Sequence, residues 1–169
     1  NIIHLDLKPG NILMDGKNPK IIDFGSSSPN NSALINNFCV GTYEFMAPEV
    51  YNKKAYSSAA DVFSFAVILY NLYAGRLPYD DIDDDSVIQK IVEDGKHEDY
   101  LVFGADVSNS LKKLITESWN IDQNKRPTFN EIVNEMMINY IMFPGANDAE
   151  IREFYENESK KLSISFDII

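Results

Sequence analysis

The sequence predicts a mostly helical domain that carries one small β-hairpin near its start. Two short β-branched runs flank a turn-forming stretch between residues 11 and 23, residues 25–46 show neither a helical nor a strand period, and from Ser57 onward apolar residues recur at helical spacing. A chain of 169 residues suffices for one domain with a real core, and 44% hydrophobic with 24% charged content is ordinary for a globular protein.

The hairpin comes first. NILM (11–14) and KIID (20–23) are separated by DGKNP, whose Asp-Gly, Asn and Pro favour a turn. Taking all of DGKNP as the turn pairs Met14 with Lys20, Leu13 with Ile21 and Ile12 with Ile22, and brings Asn11 opposite Asp23. Such a strand pair delivers an amide and a carboxylate to the same end. Residues 25–46, rich in Ser and Asn, read as a functional loop, because so long an irregular segment is otherwise uncommon in a compact domain. Its Ser26, Ser27, Ser28 and Ser32 are candidate phosphorylation sites.

The helices follow. Ser58 with Asp61 has capping-box spacing, and the run after it is apolar on nearly every side until Gly75, so this helix belongs in the middle of the core. DDIDDDS (80–86) reads as a solvated loop and helix start, after which Val87, Ile88, Ile91 and Val92 share one face. Leu111, Leu114, Ile115, Ser118 and Trp119 mark a further amphipathic helix. Thr128 and Glu131 form a second capping box, followed by a stripe of Phe129, Ile132, Val133, Met136, Met137 and Tyr140; this stripe and Trp119 are expected in the core. FPGAND (143–148) ends that helix, and 143–169 is expected to be a polar, partly helical tail outside a domain spanning 1–142.

Charge narrows the function. A net charge of −11 argues against a partner that is nucleic acid, whose phosphates need a basic face, and against binding to anionic membranes. The longest apolar run, VFSFAVILYNLYA (62–74), falls short of the ~20 residues of a membrane helix. The single cysteine, Cys39, forms no internal disulfide, which makes a reducing, cytoplasmic setting the expectation; no basic neighbour marks it as a redox switch. The first residue is Asn rather than Met, so a missing true N-terminus is expected.

The chemistry-bearing stretch is HLDLKPGN (4–11), which holds an acid, Asp6, a base, Lys8, a Pro9-Gly10 turn and an amide, Asn11. With Asp23 brought alongside, Asp6 and Asn11 make a set of hard oxygen donors suited to Mg²⁺, which completes its shell with water and phosphate oxygens. Lys8 adds a compact positive charge beside it. The residues themselves therefore point to Mg²⁺-dependent phosphate chemistry.

HLDLKPGN, DFG (23–25) and MAPE (46–49) occur in the order and spacing of the protein-kinase signature, and DVFSF (61–65) and KRPTF (125–129) resemble later segments of the kinase large lobe. On these motifs the chain resembles a eukaryotic-type protein kinase from its catalytic loop onward, over roughly residues 1 to 142. The resemblance implies an α+β family fold of which this chain is the helical large lobe with one small hairpin. It also implies ATP and Mg²⁺ as cofactors and proteins with Ser/Thr acceptors as substrates. Asp6 matches the catalytic base, Asn11 and Asp23 the metal ligands, and Lys8 the lysine near the γ-phosphate. Thr42, in GTYEFMAPE, matches a threonine that contacts the Asp6–Lys8 pair; with Lys8 it favours Ser/Thr over Tyr as acceptor. SWNIDQNKRPTF (118–129) looks more like the tyrosine-kinase-like group than other Ser/Thr kinases. Supporting roles carry over to His4 as a brace of the loop, Phe24 as a packing residue and Gly25 as the flexible point of the DFG turn. Glu49 and Arg126 match a buried ion pair, and Asp61 a residue that holds the catalytic-loop backbone.

The sequence departs from the pattern in three places. Leu5 stands where the signature has Arg, which implies activity that does not depend on activation-loop phosphorylation. Ala66 replaces a small Gly. The glycines form no G-x-G-x-x-G loop and no lysine sits in a V-A-I-K-like strand, so the ATP-binding small lobe is absent from this sequence, and the chain by itself is expected to fold incompletely and bind ATP weakly. The competing readings are a pseudokinase that only docks partners and a small-molecule phosphotransferase; GTYEFMAPE and KRPTF, which resemble a peptide-gripping segment, weigh against the latter.

Overall fold

The computed structural model describes residues 2–29, 41–94 and 96–166. Ser32, Cys39 and most of the Ser/Asn-rich loop lie outside the described residues.

The chain begins with β1 (Ile2–Ile3), turns through Pro9–Asn11, and forms the hairpin β2 (Ile12–Asp15) and β3 (Asn18–Ile21). The expected hairpin is present, but its register is one residue off the expected one. Ile12 pairs with Ile21, Leu13 with Lys20, Met14 with Pro19 and Asp15 with Asn18. The turn is two residues, Gly16 and Lys17, rather than the whole of DGKNP. Gly16 adopts a left-handed φ of +61°, which closes the tighter loop and leaves Asn18 and Pro19 free to join the strand. Pro19 is tolerated because the Ile22 N–H to Asn11 O bond fixes an alternation in which Pro19 falls at a non-hydrogen-bonded pair. Asn11 therefore faces Ile22, not Asp23. A second ladder that the sequence pattern did not show joins β1 to β4 (Ser28–Pro29).

The helical body follows. Pro48 opens the short α1 (Pro48–Tyr51), and α2 (Ala59–Ala74) runs through the centre. On α2, Ala60 to Ser64 and Ala66 to Tyr70 are buried, as an all-round apolar helix requires. Gly75 ends it with a left-handed φ of +68° and an N–H bond to the Asn71 carbonyl. The expected capping box at Ser58 does not form: Ser58 is already helical at φ −57°, Ser57 Oγ accepts the Ala59 N–H at 3.3 Å, and the Asp61 carboxylate is turned to the backbone of residues 4 and 5. α3 (Asp85–Glu93) is capped by Asp84, α4 (Asn109–Ser118) by Ser108, and α5 (Phe129–Asn139) by the full Thr128–Glu131 box.

Two apolar clusters share α2. One joins Ile3, Leu5 and Leu7 of the first loop to Phe45, Met46 and Val50, to Phe63 and Val67 of α2, to Ile88 and Val92 of α3 and to Trp119. The other joins Val62, Leu69 and Tyr70 to Leu111, Leu114 and Ile115 of α4, and to Ile132 and Ile141. The stripe on α5 is shallower than expected. Ile132 is buried, whereas Phe129 and Val133 stand 37% and 39% exposed, because α5 lies on the outside and sets only part of its apolar stripe against the core. α6 (Asp148–Phe166) provides the helical tail, anchored by the buried Tyr155, whose hydroxyl donates to the Ile141 carbonyl at 2.7 Å. Among the described residues no helix is long and apolar enough to cross a membrane.

Candidate active site

Residues 4–11 are shaped by α2. The Asp61 carboxylate accepts the His4 N–H at 2.7 Å and the Leu5 N–H at 2.9 Å, one on each oxygen. This double clamp holds Leu5 in a left-handed conformation, φ +65°, that a non-glycine residue adopts only at some cost; the buried Leu5 side chain offsets it. Burial raises the Asp61 pKa above the usual carboxylate range, and the two backbone bonds oppose that rise.

His4 is buried and both its ring nitrogens are engaged. Nε2 lies 3.0 Å from the Ile22 carbonyl, to which it donates, and Nδ1 accepts the Asp6 N–H at 3.3 Å. The ring touches Phe24, centroid to centroid 5.0 Å. His4 thus ties the first loop to the end of the hairpin and keeps no nitrogen for proton transfer.

The loop delivers three side chains to one place, where Thr42 joins them. Asn11 Nδ2 donates to the Asp6 carbonyl at 2.9 Å and to Asp6 Oδ2 at 3.0 Å. Thr42 Oγ1 donates to Asp6 Oδ1 at 2.8 Å and accepts from Lys8 Nζ at 2.7 Å. Lys8 Nζ also lies 3.4 Å from Asp6 Oδ2. Each Asp6 oxygen therefore has a fixed partner, and the Lys8 charge sits against the carboxylate while remaining about one-third exposed. Asp6, Lys8, Asn11 and Thr42 form one connected cluster.

Gly41 makes the approach of Thr42 possible, and sequence reasoning missed it. Its φ is +108°, and a Cβ there would lie 2.5 Å from the Leu5 carbonyl oxygen. The backbone of residue 41 passes directly over the backbone of residue 5, which only glycine permits. The available signal was its place immediately before Thr42 in GTYEFMAPE.

Asp23 stands apart from that cluster, exposed, with its Oδ1 accepting the Gly25 N–H at 3.3 Å. The DFG turn also differs from expectation: the left-handed residue is Asp23, φ +62°, and not Gly25. Aspartate takes this conformation because its short carboxylate bonds the backbone two residues on. Gly25 matters instead for space, since a Cβ there would press to 3.2 Å from Asp23 Oδ1. Phe24 is half exposed and rests on His4.

The donor set suits a small hard cation. Both amide hydrogens of Asn11 face Asp6 oxygens, which fixes its orientation and leaves Asn11 Oδ1 without a hydrogen bond among the described residues. The Asp23 carboxylate has one weak backbone bond and open surroundings. An amide oxygen and a carboxylate are each the hard oxygen type that Mg²⁺ takes alongside water and phosphate. Among the described residues no three His, Cys, Asp or Glu side chains cluster as a metal cage.

Away from this cluster, Arg126 grips Glu49 through two parallel bonds of 2.6 and 2.8 Å, both groups buried. Arg126 also donates to the carbonyls of Ala59, Asn120 and Ile121, and lies 5.0 Å from the Phe63 ring centre.

The family model for the protein kinase domain matches residues 1–138. The chain belongs to the protein kinase family. Its mostly helical architecture with a few small antiparallel strands is that of the kinase large lobe. Among curated relatives, it is 34% identical over 137 residues to serine/threonine-protein kinase STY46 of Arabidopsis thaliana, which covers 80% of this chain and 23% of that kinase. It is 35% identical over 138 residues to the putative serine/threonine-protein kinase/receptor R831 of Acanthamoeba polyphaga mimivirus, covering 81% of this chain and 8% of the viral protein. It is 34% identical over 150 residues to mitogen-activated protein kinase kinase kinase 7 of Bos taurus, covering 87% of this chain and 25% of that protein. The chain spans about a quarter or less of these kinases.

Proposed function

We infer that this chain carries the phosphoryl-transfer residues of an ATP-dependent protein serine/threonine kinase of tyrosine-kinase-like type. One observation carries the reading: the continuous Lys8–Thr42–Asp6 contact, 2.7 and 2.8 Å, with Asn11 bracing the same carboxylate. Asp6 orients an acceptor hydroxyl and receives its proton. Lys8 holds positive charge where negative charge develops on the transferred group. Asn11 Oδ1 and the Asp23 carboxylate are the residues that would hold Mg²⁺, which would supply positive charge to neutralise the phosphates. Phosphoryl transfer asks little covalent help of the protein, so this positioning supplies most of the catalysis. The Ser/Thr preference rests on Lys8 and Thr42 together and agrees with the names of the relatives. A cytoplasmic setting rests on the single cysteine.

The test is transfer of labelled phosphate from Mg²⁺-ATP to a basic protein acceptor by the chain joined to an ATP-binding kinase small lobe, compared with the same fusion carrying Asp6→Asn. Transfer that disappears in Asp6→Asn supports the kinase reading. No transfer, or transfer indifferent to Asp6, leaves the partner-docking reading. Because Leu5 is buried and carries no charge for a phosphate, phosphatase treatment is expected to leave the rate unchanged; loss of activity on treatment would refute that independence.

A further inference from the structure

α5 and α6 enclose an open cleft of about 310 Å³ lined by Met137, Tyr140, Tyr155, Glu156, Ser159 and Lys160. All but Met137 lie beyond residue 138, where the match to the kinase family model ends. The rings of Tyr140 and Tyr155 stand at 80° with their centres 6.0 Å apart, so they meet as two walls of a corner. The walls are fixed in place. Tyr155 is buried and its hydroxyl donates to the Ile141 carbonyl, while the Tyr140 N–H bonds the Met136 carbonyl at the left-handed end of α5. Arg152, held by Asp148 at 2.8 Å, lies 4.8 Å from the Tyr140 ring centre and outside the cleft lining. That ring thus already attracts one cation, whose charge Asp148 answers. Farther along α6, the exposed Glu156 and Lys160 are one turn apart, about 6 Å along the axis. The ion pairs on α6 among the described residues are Arg152–Asp148 and Lys161–Glu158, which leaves both for a ligand.

We propose that this cleft binds a phosphocholine group, a trimethylammonium joined through two carbons to a phosphate ester. The proposal goes beyond the kinase reading and does not depend on it. Aromatic rings, a thioether and a carboxylate suit a cation with an apolar envelope. A bare ammonium holds its water too tightly for such a corner, whereas methyl groups shed water readily and contact Met137 and the rings. One turn on, Lys160 and the Ser159 hydroxyl supply the charge and the hydrogen bond that a phosphate takes. An isolated anion is repelled by a chain of net charge −11, so the phosphate enters with its cation or not at all. The opposite signs of Glu156 and Lys160, spaced along one helix face, select a zwitterion over either ion alone.

The experiment follows the Met137 methyl resonance of the full chain, labelled at its methionine methyl groups, while phosphocholine is titrated in. A saturable shift is expected, with a dissociation constant of roughly 1 mM for an open site of this kind. Choline, which lacks the phosphate, and phosphoethanolamine, which lacks the methyl groups, are each expected to bind about 3- to 10-fold more weakly. Glu156→Gln is expected to weaken phosphocholine and choline alike, by about 3-fold. Lys160→Gln is expected to weaken phosphocholine by a similar factor and to leave choline unchanged or tighter. Both positions are exposed, so the fold is expected to survive, and circular dichroism of each variant checks it. Sedimentation with phosphatidylcholine vesicles separates the two sources: a chain that sediments with them takes a lipid headgroup, and one that does not takes a soluble phosphocholine ester. The absence of a saturable shift, equal affinity for phosphocholine and choline, or a Lys160→Gln chain that loses both alike overturns the inference.

Discussion

Arg126 and Glu49, 77 residues apart in sequence, meet through two bonds of 2.6 and 2.8 Å inside the core. The pair joins the segment that follows Thr42 to the helical body behind it. Removing one partner strands a buried charge. Glu49→Gln is expected to destabilise the chain by about 3–5 kcal/mol, read by thermal or urea unfolding. Arg126→Met should cost more than Glu49→Gln, because Arg126 also satisfies three backbone carbonyls. An equal or smaller loss for Arg126→Met would contradict the hub role.

Asp61 gives a pH signature. Its folded-state pKa is raised above the ordinary 3.8, so the folded chain holds this proton more tightly than the unfolded chain does. The stabilisation from protonating Asp61 is fully present below the unfolded value and is lost as pH rises through the raised folded value. Asp61→Asn should flatten stability across that window relative to the parent. It should also lower stability by about 1–3 kcal/mol, since an amide accepts only one of the His4 and Leu5 N–H groups well. Chemical denaturation at several pH values tests both parts.

Gly41→Ala is expected to be disruptive despite adding one methyl group. The new Cβ would lie 2.5 Å from the Leu5 carbonyl, and the φ of +108° is itself strained for alanine. A loss of about 1–3 kcal/mol is expected, with poorer catalysis because Thr42 is displaced. Unchanged melting and activity would show that the backbone relaxes freely at this crossing.

Thr42→Val removes the hydroxyl between Lys8 and Asp6 while keeping the shape. The expected effect is a fall in kcat of about 10- to 100-fold, with Thr42→Ser retaining most of the rate. A Thr42→Val enzyme as fast as the parent would show that the bridge is incidental.

Much of this was legible in the sequence, and what was not has identifiable causes. Helices α2 and α4, the α5 capping box and the stop at Gly75 follow from periodicity and local chemistry, which act over a few residues. The hairpin was visible but not its register, because Gly16 allowed a tighter turn than the composition of DGKNP suggested. The Ser58–Asp61 spacing was misleading, since a tertiary demand from His4 and Leu5 outweighed a local cap. The β1–β4 ladder is too short for any periodic signal. In the site, HLDLKPGN revealed Asp6, Lys8 and Asn11, but the Gly41–Leu5 crossing depends on backbone proximity that no spacing rule encodes.

The clamp of Asp61 on the first loop has a consequence in time. Asp61 is more than fifty residues from His4 and Leu5, and Thr42 is 36 from Asp6, so the bonds that clamp the loop and bring Thr42 to it close long stretches of chain. Contacts of that span form only after the chain entropy of closure has been overcome, whereas helices such as α4 organise within themselves. On refolding, helical signal is therefore expected to return before the environment of Asp6 does. A newly made chain passes through an interval in which it is already helical and still unable to act.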